Sequence, residues 1–254
     1  MIDTPPARGA ENMALDEALM EAVRGGAEPV LRFYRWSPAC LSLGRNQPAA
    51  GCYREDRLAE LGLDVVRRPT GGRAVLHADE LTYSVAVPEG ALGSPRTTYA
   101  TINRALVAGL RRLGVAAEMQ PRSQRRAATP SLAPCFREPA EGEVVVGGRK
   151  LVGSAQWREA GTTLQHGSLL LSGDQGLVSE LRVDAPPVRD EPPAVLRDFL
   201  DPLPDWETLT AALAAGWRDV VGGELRRAEP LPAERERARS LTARYAGPAW
   251  TWRR

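Results

Sequence analysis

The chain has 254 residues, 33 of them basic and 32 acidic, so its formal net charge is +1. That balance argues against a broad nucleic-acid-binding surface or a polybasic membrane anchor. No apolar run approaches the ~18 residues of a membrane span, and Met1-Ile2-Asp3-Thr4-Pro5-Pro6 lacks the basic-then-apolar order of a signal peptide.

Asn12 reads as the N-cap of a helix whose apolar stripe is Met13, Leu15, Ala18, Leu19, Ala22 and Val23, stopped by Gly25-Gly26. Val30 to Trp36 and Leu41 to Leu43 read as strands, Arg54 to Leu61 as a short helix closed by Gly62, and Val65-Val66 as a brief strand. The alternation of Leu81, Tyr83, Val85 and Val87 predicts a strand ended by Pro88. Tyr99, Ile102, Leu106, Leu110 and Leu113 recur at helical spacing, with Gly114 as the stop. From Gln120 to Pro134 the composition turns to Arg, Ser, Pro and Ala without periodicity, which predicts a mobile loop. Glu143 to Val146 and Arg149 to Trp157 flank Gly147-Gly148, a pair suited to a two-residue turn with positive φ at both positions. A second hairpin is predicted around Glu159-Ala160-Gly161, its return strand running through His166 to Leu171. The proline-rich stretch from Asp184 to Pro204 is expected to wrap the surface, and helices near Trp206 to Val221 and Ala233 to Tyr245 close the chain. Strands and helices mix without strict βαβ alternation, so the expected class is α+β, one domain around a largely antiparallel sheet.

One lysine, Lys150, stands among 33 basic residues; the other 32 are arginines. A coding bias explains most of that excess. A lysine retained under such a bias marks a place where a compact point donor does what a permanently charged fork cannot, or else survives by chance. The three cysteines, Cys40, Cys52 and Cys135, are odd in number and lack metal-ligand spacing. They suit a cytoplasmic protein with free thiols. Cys40 and Cys52 read as small buried hydrophobes. Cys135 sits among prolines at a loop end, where a cation on a nearby strand would lower its pKa and hold a thiolate. Strand parity puts Lys150, Val152, Ser154 and Gln156 on one face, either core or solvent. In Arg67-Arg68-Pro69-Thr70-Gly71-Gly72-Arg73-Ala74-Val75-Leu76-His77, paired glycines allow close backbone approach and the arginines offer bidentate donors, a pattern for an anion or carbonyl; it reads equally as a tight turn with solvated arginines. With only His77 and His166 present, a multi-histidine metal site is not expected.

The segment 67–77 with Glu80-Leu81-Thr82-Tyr83-Ser84, the run Gly148-Arg149-Lys150-Leu151-Val152-Gly153-Ser154-Ala155-Gln156, and Gln165-His166-Gly167-Ser168-Leu169-Leu170 resemble the lipoate–protein ligase and octanoyltransferase family. Asn12 to Ala18, Arg32 to Trp36 and Arg244 to Trp250 extend the resemblance over nearly the whole chain. Cys135-Phe136 with Pro139, upstream of Gly-Arg-Lys, is similar to the octanoyltransferase branch that uses a cysteine nucleophile. Ala140-Glu141-Gly142-Glu143 departs from that branch's Ser-Trp-Tyr-Glu stretch.

The resemblance implies a biotin/lipoate-ligase-like catalytic domain over residues 1–254, with no accessory C-terminal domain. It implies a cytoplasmic acyltransferase, acting as a monomer without cofactor or metal. Octanoyl would pass from octanoyl-acyl carrier protein to Cys135 as a thioester intermediate. It would then pass to a lysine of an apo lipoyl domain or the glycine cleavage H protein, a step in protein lipoylation and lipoate biosynthesis. Cys135 and Lys150 are the implied catalytic pair. Arg68, Thr70, Gly71, Gly72, Arg73, Ala74, Val75, His77, Gly153, Ser154, Gln156 and His166 are the implied substrate-binding set, shaping an acyl tunnel in which each buried CH₂ contributes about 0.8 kcal/mol. Arg122, Arg125 and Arg126 would meet an acidic carrier or simply face water. An ATP-dependent lipoate–protein ligase, an amidotransferase moving octanoyl between lipoyl domains, and a non-catalytic acyl-binding module are the alternatives.

Overall fold

The computed structural model describes residues 1–121, 136, 140–184 and 192–253. Strand β1 (Ile2–Asp3) and helix α1 (Gly9–Arg24) precede β2 (Val30–Tyr34) and β3 (Cys40–Leu43). Helix α2 (Glu55–Glu60), β4 (Asp64–Arg67), β5 (Val75–His77) and the long β6 (Glu80–Pro88) lead to helix α3 (Pro95–Arg112). Then come β7 (Glu118–Met119), β8 (Val144–Val146), β9 (Arg149–Glu159), β10 (Thr162–Leu170) and the short α4 (Leu177–Glu180). A 3₁₀ turn at Leu196–Asp198 precedes α5 (Trp206–Val220), α6 (Pro232–Ala246) and α7 (Pro248–Thr251).

Seven strands form the main sheet in the order β1-β2-β6-β10-β9-β8-β7, and β4-β3-β5 form a smaller one. In the main sheet only β1–β2 pair in parallel, as the mostly antiparallel expectation required. Residues directly opposite one another share a face, so the register separates two surfaces. Phe33, Tyr83 and Gly167 fall on one, while Arg32, Ser84, His166 and Ala155 fall on the other. The first surface carries Leu31, Phe33, Leu81, Val85 and Leu169, packed beneath Ile102, Leu106 and Leu110 of α3 and Leu209 and Leu213 of α5. The second is covered by α1 and the small sheet and is largely polar. Both faces of β6 are therefore buried.

Gly147 and Gly148 take φ of 57° and 77°, the paired positive values a two-residue hairpin demands. The second hairpin turns on residues 160–161, between β9 and β10. Helix α1 begins three residues before the predicted cap. The Arg8 backbone N–H donates to Glu11 Oε2 at 3.0 Å, and Asn12 is instead buried, its amide donating to the Ala7 and Arg35 carbonyls. The segment expected to wrap the surface also differs. Residues 185–191 lie outside the described set, but Ala194 and Leu196 enter the core and the Ala194 N–H donates to the Lys150 carbonyl at 3.0 Å. Strands β1, β5 and β7 and helix α7 were not predicted; each has two to four residues, too short for a periodic signal. No helix among the described residues is long and apolar enough to cross a membrane.

Candidate active site

A cleft opens on the polar face of the main sheet, where the small sheet approaches it. Tyr34, Trp36, Thr82, Gly153, Ala155, His166 and Ser168 line its strand side, and Arg68, Gly72, Val75 and His77 line the other. Beneath it lies a buried ionic network. Asp16 of α1 accepts from Arg32 Nη1 at 2.7 Å, Ser84 Oγ at 2.7 Å, Tyr34 Oη at 2.9 Å and His166 Nδ1 at 3.2 Å. Burial alone would raise the Asp16 carboxyl, but the Arg32 charge and the hydrogen bonds from His166 and Ser84 outweigh it and hold it below its ordinary value. Burial pushes His166 down despite Asp16 beside it. The ring is therefore neutral near pH 7, donating from Nδ1 to Asp16 and accepting at Nε2 from the Thr70 hydroxyl at 2.7 Å.

Arg68 is the clasp of the glycine segment. Its Nη1 donates to Ser42 O and Ser42 Oγ at 2.9 and 2.6 Å, and its Nη2 to the Gly71 and Arg73 carbonyls at 3.1 and 2.9 Å. A flat fork thereby pins the loop 71–73 against β3. Ser42 Oγ lies 2.5 Å from His77 Nε2, and His77 Nδ1 lies 2.7 Å from Glu80 Oε1, which has the outline of a serine charge relay. Ser42 is fully buried, though, does not line the cleft, and already accepts from Arg68. The array organises Arg68 and His77, on which Trp36 stacks at 4.0 Å between centroids.

A β-bulge turns Lys150 to the face of β9 that carries Gly153, a residue of the cleft wall. Val144 pairs with Val152 but Val145 pairs with Lys150, so β9 holds one extra residue at that point. The expectation that Lys150 shares a face with Val152, Ser154 and Gln156 is thereby corrected. Lys150 shares a face with Gly153 and Ala155 instead. A Cβ placed on Gly153 would meet Lys150 Cε and Phe136 Cζ, each at 3.1 Å, so a methyl there would press on both side chains. Lys150 is 2% exposed, its Nζ donates to Glu143 Oε1 at 2.7 Å, and it stands 5.1 Å from the centre of the buried Phe136 ring.

Cys135, Pro139, Arg122, Arg125 and Arg126 lie outside the described residues. Phe136, the chain neighbour of Cys135, packs with Val75 and Leu170. The structure brings together Arg68, Gly72, Val75, His77, Gly153 and His166 around the cleft. Gly71 and Arg73 serve through carbonyls that receive Arg68, and Thr70 through its hydroxyl on His166. Ala74 packs away from the cleft against Leu41, Leu43 and Leu76. Ser154 contributes backbone to the lining, but its hydroxyl meets Tyr83 Oη at 2.7 Å on the opposite side. Gln156 donates to Gln165 Oε1 at 2.9 Å and does not line the cleft. Alternation past the bulge turns both side chains to the α3 face. Cys40 is buried and its thiol is pushed far above its ordinary value by that burial, which rules it out as a thiolate; Cys52 is half-buried against the Leu41 cluster. Sequence reading missed Asp16, Arg32, Glu80 and Glu143. Their signal, a charged residue due to be buried, appears only once the sheet's second face is known to be covered.

Residues 8–216 match the family model of the lipoyl protein ligase A/B catalytic domain. The chain is 42% identical over 269 residues to the octanoyltransferase LipM of Kyrpidia tusciae, with 100% of this chain and 98% of the relative covered. It is 36% identical to the octanoyltransferase LipM of Staphylococcus aureus, with 96% and 94% covered. In structure it is similar to protein Ta0514 of T. acidophilum solved with bound lipoic acid, at a TM-score of 0.82 and 26% identity over 99% of this chain and 96% of that one. It is also similar to a lipoate-protein ligase A bound with ATP, at a TM-score of 0.82 and 26% identity over 98% and 96%.

Proposed function

Because the chain belongs to the lipoyl protein ligase A/B catalytic-domain family, we propose that its cleft carries out protein octanoylation in lipoate biosynthesis, with Cys135 as nucleophile. The Cys135 thiolate attacks the carbonyl carbon of octanoyl-acyl carrier protein. The donor's C–S bond breaks, its sulfur leaves as a thiolate that takes a proton from water, and an octanoyl-cysteine thioester remains. A neutral lysine amine of an apo lipoyl domain, such as the glycine cleavage H protein, then attacks that thioester. The amide forms as the carbonyl–Cys135 C–S bond breaks, the amine's proton passes to water, and Cys135 leaves as the thiolate for the next cycle. Thioester exchange is nearly isoenergetic and the amide lies downhill, so the sequence of steps needs no ATP.

The observation that carries this reading is Lys150: a buried ammonium turned by a bulge to lie beside Gly153 of the cleft wall, against the neighbour of Cys135. An ammonium in that place stabilises a thiolate and donates to the carbonyl oxygen as it becomes an oxyanion. His77 and His166 shape the cleft; Asp16 and Thr70 fix the His166 ring, leaving it no part in proton transfer. The chain's place of action, in this reading, is the cytoplasm.

Incubation with octanoyl-acyl carrier protein and then apo acceptor, without ATP and followed by intact mass, tests it. Acyl-enzyme followed by octanoylated acceptor is expected, and Cys135→Ala or Cys135→Ser abolishes both while Cys52→Ser does not. Undiminished transfer by Cys135→Ala removes the thioester route, and a strict ATP requirement replaces it with the ligase reaction.

A further inference from the structure

We infer that Glu143 is a positioning residue for Lys150, fixing the place of its ammonium group; the inference rests on the catalytic role proposed above for Lys150.

The carboxylate of Glu143 is held at both oxygens. Oε1 accepts from Lys150 Nζ at 2.7 Å and Oε2 from the Ala140 backbone N–H at 2.8 Å. The backbone around it is pinned as well: its carbonyl accepts from the Gln120 N–H at 2.7 Å and its own N–H donates to Ala140 O at 3.1 Å. Glu143 is 6% exposed and Lys150 2%. Two such groups lie out of water, and removing either would leave the other buried without this partner. Glu143 also stands where the fold needs it. It precedes β8, whose Val145 pairs with Lys150, and residues two apart on a strand point the same way. Bulge and carboxylate therefore act together, the first turning the side chain toward Gly153 and the second fixing where the nitrogen stops.

The test uses the full chain carrying Glu143→Gln, which keeps shape and an acceptor for Ala140 but removes the charge, and Glu143→Asp, which keeps the charge but withdraws it by one methylene. Formation of acyl-enzyme from octanoyl-acyl carrier protein is timed in single turnovers over a range of donor concentrations. For Glu143→Gln the maximal rate falls roughly 10-fold or more, short of the ~10²–10³ lost on removing an oxyanion donor altogether, while half-saturation stays within about twofold of the parent. Glu143→Asp falls between the two. A merely structural role would lower the amount of folded enzyme or the donor affinity and leave the maximal rate of the folded fraction alone. Parental acylation rates in Glu143→Gln overturn the inference. If Glu143→Gln does not fold, parental rates in Glu143→Asp overturn it equally. Cys135→Ser and Lys150→Ala are run alongside. If either transfers octanoyl normally, the parent mechanism fails; if both are inert and the Glu143 variants are normal, only the role of Glu143 falls.

Discussion

Replacing Asp16 by asparagine tests the network beneath the cleft. Asp16 is fully buried and accepts four hydrogen bonds, from Arg32, Ser84, Tyr34 and His166. Asparagine fits the same space but removes the charge opposing Arg32 and turns one acceptor into a donor. Breaking a buried pair from one side costs about 3–5 kcal/mol. The lower end applies here, because Arg32 keeps Thr4 Oγ1 at 3.1 and 3.0 Å, Asn12 O at 3.2 Å and Asn12 Oδ1 at 2.8 Å. At ~2–4 °C per kcal/mol for a chain of this size, a loss of ~3 kcal/mol lowers Tm by roughly 6–12 °C. Calorimetry and urea titration at pH 7 measure it. The double variant Asp16→Asn with Arg32→Met, which leaves no uncompensated charge, should regain much of the loss. A single-variant loss below ~1 kcal/mol would refute the reasoning, because a dry, charged pair cannot be broken so cheaply.

Gly153→Ala should cost about 1–3 kcal/mol, the usual price of overpacking, and slow acylation as well, because the new methyl meets Lys150 Cε and Phe136 Cζ at 3.1 Å; unchanged kinetics would mean the lysine does not lie where the strand register puts it. Lys150→Arg keeps the charge, yet acylation should fall by ~10² or more, since a longer planar fork cannot place one donor at the same point; near-parental rates in a stopped-flow assay would make the lone lysine incidental. The pH dependence of stability follows from His166, whose folded-state pKa is lowered by burial from 6.5. The unfolded chain then takes up this proton first. The contribution is complete above pH ~6.5 and is lost as pH falls from there through the lowered value. Melts from pH 8 to 5 should show that slope, and His166→Gln should lose part of it.

Long periodic elements were legible in the chain itself. The alternation over 81–87 and the helical spacing from Tyr99 to Leu113 matched β6 and α3, and the glycine pair at 147–148 adopted the turn its φ freedom suits. Lys150 was legible as an exception of composition, but its orientation was not. Parity assigned it to the wrong neighbours because a bulge, which depends on pairing with β8, adds a residue that no single-strand pattern reveals. Asp16 and Arg32 were equally hidden. Each lies in an element whose apolar residues account for its period, and their attraction across α1 and β2 exists only after the sheet forms. Glu143 lies in the stretch 140–143 that departs from the family pattern.

The buried cations also settle what the arginine excess conceals. Arg67 donates to six backbone carbonyls, those of Gly44, Arg45, Gln47, Trp250, Thr251 and Arg253, and so ties the C-terminal segment to the loop after β3. Arg68 divides four donations between β3 and the glycine loop, and Arg32 spreads its fork over Thr4, Asn12 and Asp16. Each of these sites presents acceptors spread around a planar group, which a lysine's single nitrogen could not reach together. Lys150 meets the opposite demand: a narrow space beside Gly153, with a carboxylate oxygen placed to receive a point donor. In the interior the choice between guanidinium and ammonium follows the arrangement of acceptors. That is the physical reason an arginine at position 150 should fail where charge alone would predict success.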